Sequence, residues 1–362
     1  MEEMEKYWLW LCSARGLYHS HISQLIKFYK TPRAVYEASG TSMKIWREKG
    51  ALWVDRLTVF RKSYSAEAVC HRVRTKRIEF ISCQAPGFPG RLKAIRECPF
   101  GLFYRGNLPS DTAPSIAVVG ARNCSAYGKA MAGEIGGMLA NAGAQVISGL
   151  AAGIDSQAQK GAVMSGGASY GVLGSGPDLC YPRENQYLYE MLPEKGGILS
   201  EFPPGTPPLP GHFPMRNRII SGLADSVVVV EARERSGSLI TADLALEQGR
   251  DVYAVPGRCL DALSLGCNRL IDQGAGVVVS VKGLLEALHL DGKTEKKESK
   301  HELGLAPEEK RVYSNLDLLP KGLEELARAS DLPVKSLGGI LLRLQLRGLA
   351  QEVSKNHYAR LK

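Results

Sequence analysis

The segment VGARNCSAYG (119–128) holds Arg122, Ser125 and Tyr127 between an apolar run and a glycine, Gly128. A guanidinium and a hydroxyl at a strand-to-helix turn suit an anion, because the first amides of a helix and its dipole favour negative charge there. The theme recurs along the chain. ISGLAAGID (147–155) supplies Ser148, Gly149 and Gly153, GVLGSGPDLCYPREN (171–185) supplies Arg183, and GHFPMRNRIISG (211–222) supplies Phe213, Arg216, Asn217 and Arg218. VVVVEARERSGSLITA (227–242) adds Ser236, Gly237 and Ser238. Arg122, Arg183, Arg216 and Arg218 are then available to hold phosphates through a fork geometry that lysine lacks. Arg218 has a second reading, as a buried partner of Glu201 or Glu231. Phe213 likewise either stacks on a base or packs in the core.

These turns need a scaffold that brings them to one rim. Short β-branched runs at 116–119, 145–147, 169–173, 198–200, 227–230, 252–255 and 277–279 alternate with helical stretches. That alternation predicts α/β architecture, an extended Rossmann-like, doubly wound parallel sheet whose ligands sit at the carboxyl ends of its strands. Residues 1–77 have helical periodicity and form a helical N-terminal domain. A Rossmann-like domain follows over 78–289, with a proline-rich, loop-rich lead-in at 78–114 that holds one strand pair at most. The charged, aperiodic stretch 290–306 reads as a linker. Residues 307–362 give helix, helix, longer helix and hairpin, the order of a winged helix. Its third helix carries Lys335, Arg343 and Arg347, but Leu337, Ile340, Leu341, Leu344 and Leu346 mark it mainly as a core helix, favouring a protein or regulatory surface over a duplex reader. A fragment of residues 78–290 is expected to fold alone and keep most of its ligand affinity.

Composition narrows the class. Residues 1–110 carry 19 Lys/Arg against 9 Asp/Glu and residues 307–362 carry 10 against 7, whereas residues 111–290 carry 13 against 17. An anion held by the acidic middle must therefore meet a local pocket, while the basic flanks suit a polyanion. The eight cysteines form no Cys-x-x-Cys pair or Cys/His cluster, so neither structural zinc nor a disulfide framework is expected. No apolar run is long enough to span a bilayer and the first residues are acidic, so a cytoplasmic protein without membrane attachment is expected.

The ordered set of motifs resembles the DNA-processing protein A family, also called Smf. It comprises Gly120-Ala121-Arg122 with Ser125 and Tyr127-Gly128, Ser148-Gly149-Leu150-Ala151 to Gly153-Ile154-Asp155, Tyr181-Pro182, and Ser200-Glu201. It continues with Phe213-Pro214, Arg216-Asn217-Arg218, Ser236 to Ala242, and Val255-Pro256-Gly257. The flanking domains are similar to that family's helical N-terminal domain, of SAM or helix-hairpin-helix type, and to its C-terminal winged helix. The resemblance implies a bacterial cytoplasmic protein that binds and protects single-stranded DNA on its Rossmann-like domain. It also implies dimerisation through that domain and help in loading the RecA recombinase during natural transformation. No cofactor is implied. Two positions depart from the pattern. Gln159 stands where the family often has histidine, and Pro210 stands where some members have a lysine, so one phosphate contact is either missing or supplied by His212 or Arg183.

The competing class is a nucleotide-binding phosphoribohydrolase of the lysine-decarboxylase-like group, with Glu231 or Asp155 as its carboxylate. Its Pro-Gly-Gly-x-Gly-Thr loop is missing, the corresponding stretch being Ser236-Gly237-Ser238-Leu239-Ile240-Thr241. Also missing are a Gly-x-Gly-x-x-Gly dinucleotide fingerprint, a Gly-x-x-x-x-Gly-Lys-Ser/Thr loop, metal-ligand spacing and a placed Ser/His/Asp set. A binding protein and not an enzyme is the expectation.

Overall fold

The computed structural model describes residues 3–48, 50–290, 305–317 and 320–360. The chain divides into two compact units, residues 1–123 with 132–294 and residues 124–131 with 295–362. Of the expected linker, 290–306, residues 291–304 lie outside the described residues.

The first unit opens with six helices, α1 to α6 (Glu3–Cys12, His19–Tyr29, Pro32–Glu37, Gly40–Glu48, Trp53–Ser63 and Ala66–Thr75). Thr31 and Ser65 cap α3 and α6 by accepting from backbone amides, the usual device for satisfying a helix start. Trp8, Trp10, Leu25 and Leu57 are buried at the centre of this module. The same core continues into Ile78, Phe80 and Phe103, so the helices cover one edge of the sheet.

That sheet has nine strands: β1 (Glu79–Ser82), β2 (Gly101–Gly106), β3 (Ser115–Val119), β4 (Gln145–Ser148), β5 (Ser169–Val172), β6 (Gly196–Ser200), β7 (Ser226–Val229), β8 (Asp251–Ala254) and β9 (Gly276–Val277). Their spatial order is β1-β2-β6-β5-β4-β3-β7-β8-β9. Strands β3 to β9 are mutually parallel. The lead-in segment adds the one strand pair expected of it: β2 pairs antiparallel with β6 and β1 antiparallel with β2, so the otherwise parallel sheet is mixed at this edge. The helices between them are α7 (Gly90–Lys93), α8 (Ala126–Asn141), α9 (Ile154–Met164), α10 (Gln186–Lys195), α11 (His212–Gly222), α12 (Gly237–Glu247), α13 (Leu265–Asp272) and α14 (Val281–Ala287).

β3, β4 and β7 are buried at every position, as a sheet covered on both faces requires. From β3 the chain winds one way through β4, β5 and β6, then returns to β7 on the other side of β3. The order reverses at β3, and a crevice opens outside the carboxyl ends of strands at such a switch point.

The C-terminal unit contains α15 (Pro307–Asn315), β10 (Lys321–Gly322), α16 (Leu323–Ser330), α17 (Val334–Leu346), β11 (Ala350–Ser354) and β12 (His357–Arg360), with strand order β10-β12-β11. This is a winged helix with its hairpin turning at Lys355-Asn356. Leu337, Ile340, Leu341 and Leu344 are buried, as expected. Leu346 is not, being 80% exposed, because it lies two positions from the buried Leu344 and so on the opposite face of the helix. Arg343 and Arg347 both turn to the buried Glu309 carboxylate, at 2.6 and 3.6 Å.

Candidate nucleic-acid interface

The turn after β3 is fixed by its backbone. Ala121 N–H donates to Glu231 O at 2.7 Å, tying the turn to the end of β7, and Ile154 N–H donates to Ala121 O at 3.2 Å, tying it to the start of α9. Gly153, with φ of 79°, sits beneath it. A Cβ there would lie 2.4 Å from both Ala121 O and Arg122 O, so only glycine lets α9 start this close. With its backbone held, Arg122 extends an exposed side chain whose guanidinium lies 5.0 Å over the Phe213 ring.

Phe213 projects from the first turn of α11. It is half-buried, with the Tyr181 ring 5.7 Å away and tilted by 37°, and the Arg216 guanidinium 5.9 Å from its centroid. Arg216 itself is buried. Its Nη1 donates to Gly149 O at 2.8 Å and to Val172 O, joining the ends of β4 and β5. Burial lowers its pKa to about 10, with Asp155 opposing that shift, so it stays cationic at neutral pH. Asp155 accepts from Gly149 N–H at 3.0 Å, and its own pKa is raised by burial, against the pull of Arg216. Leu150, in the left-handed region at φ 52°, donates its N–H to Gln159 Oε1 at 3.1 Å and accepts from Asn185 Nδ2 at 2.9 Å. Gln159 is thus an amide clamp on this turn.

The third wall is the β7–α12 turn. Ser236 caps α12 by accepting from Ser238 N–H at 3.4 Å, its hydroxyl meets that of Ser238 at 2.7 Å, and Asn217 Nδ2 donates to Gly237 O at 3.2 Å. Together these turns enclose a cleft of about 570 Å3 lined by Arg122, Asp155, Phe213, Arg216, Arg233 and Arg235, among others. Four arginines against one carboxylate line it, a positive pocket inside an acidic domain. Ser236, Gly237 and Ser238, at the start of α12, line the same space.

The structure brings Arg122, Phe213, Arg216, Asn217, Ser236, Gly237 and Ser238 together on this lining. Ser148, Gly149 and Gly153 stand one layer below, where Ser148 Oγ donates to Val118 O at 2.6 Å and shapes the turn. Other expected site residues are elsewhere. Arg218 is buried and holds Glu201 with two bonds, of 2.7 and 2.8 Å, away from the cleft lining. Of its two readings, the partner of Glu201 is the observed arrangement. Arg183 is exposed on a short turn at 183–185, also off the lining. His212 is buried and stacked on Phe202 at 4.1 Å, so it does not stand in for the lysine at the Pro210 position. Ser125, Tyr127 and Gly128 belong to the stretch 124–131, where Ser125 Oγ accepts from Gly128 N–H at 3.0 Å. Arg233, Arg235 and Tyr181 line the cleft without having been named as site residues from sequence, although Tyr181 stands in the Tyr181-Pro182 motif. The signal for the arginines was present, since both lie between an apolar strand and a capping serine.

Both carboxylates considered for catalysis are buried. Asp155 is engaged with Gly149 and Arg216, and the Glu231 backbone anchors Ala121. Among the described residues no cluster of three metal-ligating side chains occurs, and no helix is long and apolar enough to cross a membrane.

Comparison with known proteins gives a consistent result. The sequence model of the DNA recombination-mediator protein A family matches residues 79–289, and that of the DprA winged helix domain matches 296–354. The DNA processing protein DprA of Streptococcus pneumoniae is 46% identical over 55% of this chain and 70% of its own length. Protein Smf of Synechocystis is 29% identical over 98% of both chains. Among solved structures, the Streptococcus pneumoniae protein superposes with a TM-score of 0.66 at 34% identity, over 78% of this chain and 97% of that one. The Helicobacter pylori DNA processing protein A, described with a single-stranded DNA binding mode, gives 0.54 at 26% identity, over 60% of this chain and 98% of that one. A cleft at the switch point of an extended Rossmann-like sheet, a winged helix after it and these matches lead to one conclusion: the chain belongs to the DNA recombination-mediator protein A family, the DprA/Smf proteins.

Proposed function

We propose that this chain binds single-stranded DNA in the switch-point cleft, with a base against Phe213 and backbone phosphates on Arg122, Arg233 and Arg235. The observation that carries this reading is the exposed Arg122 guanidinium 5.0 Å over a half-buried Phe213 ring inside an arginine-lined cleft. A flat ring beside cations is how sequence-tolerant single-strand sites are built, since every base has a π-face and every nucleotide a phosphate. The cleft lining offers no general base poised beside a nucleophile, so the reading is binding without turnover. Family membership extends the proposal: the bound strand is protected and passed to the RecA recombinase in the cytoplasm by a homodimer formed through the Rossmann-like domain. Fluorescence anisotropy with a labelled oligothymidylate and with its duplex tests the core of this. Preference for the single strand, lost on Arg122→Ala with the melting transition intact, is expected. Equal affinity for duplex, or release of free base from nucleoside monophosphates, would overturn it.

A further inference from the structure

The six-helix module carries a half-buried ribbon of rings beyond its core. Phe28 meets Trp46 at 5.5 Å, Trp46 meets Trp53 at 5.7 Å, Trp53 meets His21 at 4.8 Å, and His21 meets Tyr18 at 5.7 Å. Tyr18 in turn touches the ring of His212, the residue before Phe213, at 6.2 Å. The ribbon therefore leads from a 52% exposed Phe28 to the buried His212, the neighbour in sequence of the cleft residue Phe213. The Phe28–Trp46 and Trp46–Trp53 contacts are inclined at 79° and 55°, His21 stacks on Trp53 at 19°, and both indoles rest with one side on the core. Trp8 and Trp10, the module's fully buried indoles, are tied by hydrogen bonds to Gln84 and to the Tyr64 carbonyl, whereas the Trp46 indole N–H is buried with no acceptor among the described residues.

Charge identifies what fits. Residues 1–77 carry 15 Lys/Arg and 7 Asp/Glu, a net charge of +8. Helices α2, α4 and α5, which bear Phe28, His21, Trp46 and Trp53, carry two acids, Glu48 and Asp55, against six Lys/Arg, and Asp55 is paired with Arg47 at 3.6 Å. Arg56 is exposed on the same helix as Trp53, one turn on. Interleaved rings and cations without net acidity suit an extended nucleic-acid strand, and suit an acidic or apolar protein surface less well.

We infer that the ribbon Tyr18, His21, Trp53, Trp46 and Phe28, with Arg56, is a second single-strand track on the helical module, beside the cleft. This inference rests on the cleft reading for its ligand class and adds a length requirement to it. A short strand fills the cleft alone, and a longer one also crosses the ribbon. Stacking contributes about 1–3 kcal/mol per base, so a strand long enough to engage even one ring should bind about 5–150-fold more tightly than a short one.

The full chain is titrated with oligothymidylates of about 5 and about 20 nucleotides, following anisotropy and intrinsic tryptophan emission. Of the four tryptophans, Trp8 and Trp10 are buried, so quenching by DNA reports Trp46 and Trp53. The longer strand is expected to bind more tightly and quench emission, and the shorter one to bind without quenching. Trp53→Ala should remove most of the length advantage and leave short-strand affinity unchanged, while Trp53→Phe should retain the advantage. Phe28→Ser, at an exposed position, gives the same comparison if Trp53→Ala lowers the melting temperature. Equal affinity for both lengths with unquenched emission overturns the ribbon while leaving the cleft reading intact. Loss of the cleft reading looks different: Arg122→Ala would leave short-strand affinity unchanged.

Discussion

The pairing of Arg122 with Phe213 makes the strongest quantitative prediction. Three exposed arginines border the cleft, Arg122, Arg233 and Arg235, whereas Arg216 is committed to the carbonyls of Gly149 and Val172. Three neutralised phosphates imply that log affinity falls with log salt with a slope of about −2, at roughly −0.7 per phosphate for a single strand. Arg122→Ala should reduce that slope to about −1.4. Phe213→Ala should leave the slope unchanged and lower affinity about 5–150-fold at every salt concentration, through the loss of about 1–3 kcal/mol of stacking. Because the guanidinium rests over the ring at 5.0 Å, each side chain helps to orient the other. The double variant should then lose about 0.5–1 kcal/mol less than the sum of the two single losses, the size of an exposed cation–π contact. Arg122 is exposed and Phe213 only half-buried, so melting temperatures should stay close to that of the parent protein. Anisotropy titrations at several salt concentrations on the parent and three variants measure every term. Strict additivity with an unchanged slope for Arg122→Ala would refute the assignment of Arg122 as a phosphate ligand held by Phe213.

Other perturbations separate architecture from binding. Glu201→Ala should destabilise the protein by less than the about 3–5 kcal/mol of a fully stranded charge, because Glu97 stays 3.6 Å from the buried Arg218 guanidinium, and calorimetry should show this while short-strand affinity in the surviving folded fraction is unchanged. Gly153→Ala should cost about 3 kcal/mol or more, from a left-handed φ and a 2.4 Å clash, and an unaltered melting temperature would contradict the backbone packing described. Thiol labelling with an aromatic disulfide at mild alkaline pH should proceed fast at the exposed Cys259, with Cys259→Ser removing that phase. Cys267, buried and with its pKa pushed up to about 12 by desolvation, should react only after unfolding. The fragment 78–290 loses the helices that cover Ile78, Phe80 and Phe103. It should therefore be less stable than the corresponding part of the full chain by about 5 kcal/mol, at roughly 1.5–3 kcal/mol per uncovered side chain, as read from denaturant unfolding.

How far the site could be read from the sequence depended on whether its determinants were local. The parallel strands announced themselves as β-branched runs because burial on both faces leaves no polar alternation to confuse with a helix. The Ser236 cap and the Gly153 turn were visible for the same reason, as each is specified by residues within a few positions of itself. The β1–β2 pair was harder to see, since Glu79–Ser82 and Gly101–Gly106 are short, flanked by prolines, and stabilised mainly by the distant helices packed on Phe80 and Phe103.

Arginine roles were the least legible, because composition cannot tell a guanidinium facing solvent from one facing a carboxylate. Arg216 and Arg218 are two positions apart on α11, so helical geometry turns them about 200° from each other. One is directed to the switch point beneath Phe213 and the other to Glu201. That divergence was available in principle from the period of the helix, once its start at His212 was known. Arg233 and Arg235 lie two apart in an irregular turn, where no such rotation separates them, and both reach the cleft. The same spacing therefore splits a pair on a helix and can keep a pair together in a turn, so the cations of a strand-end site are best sought in its loops before its helices.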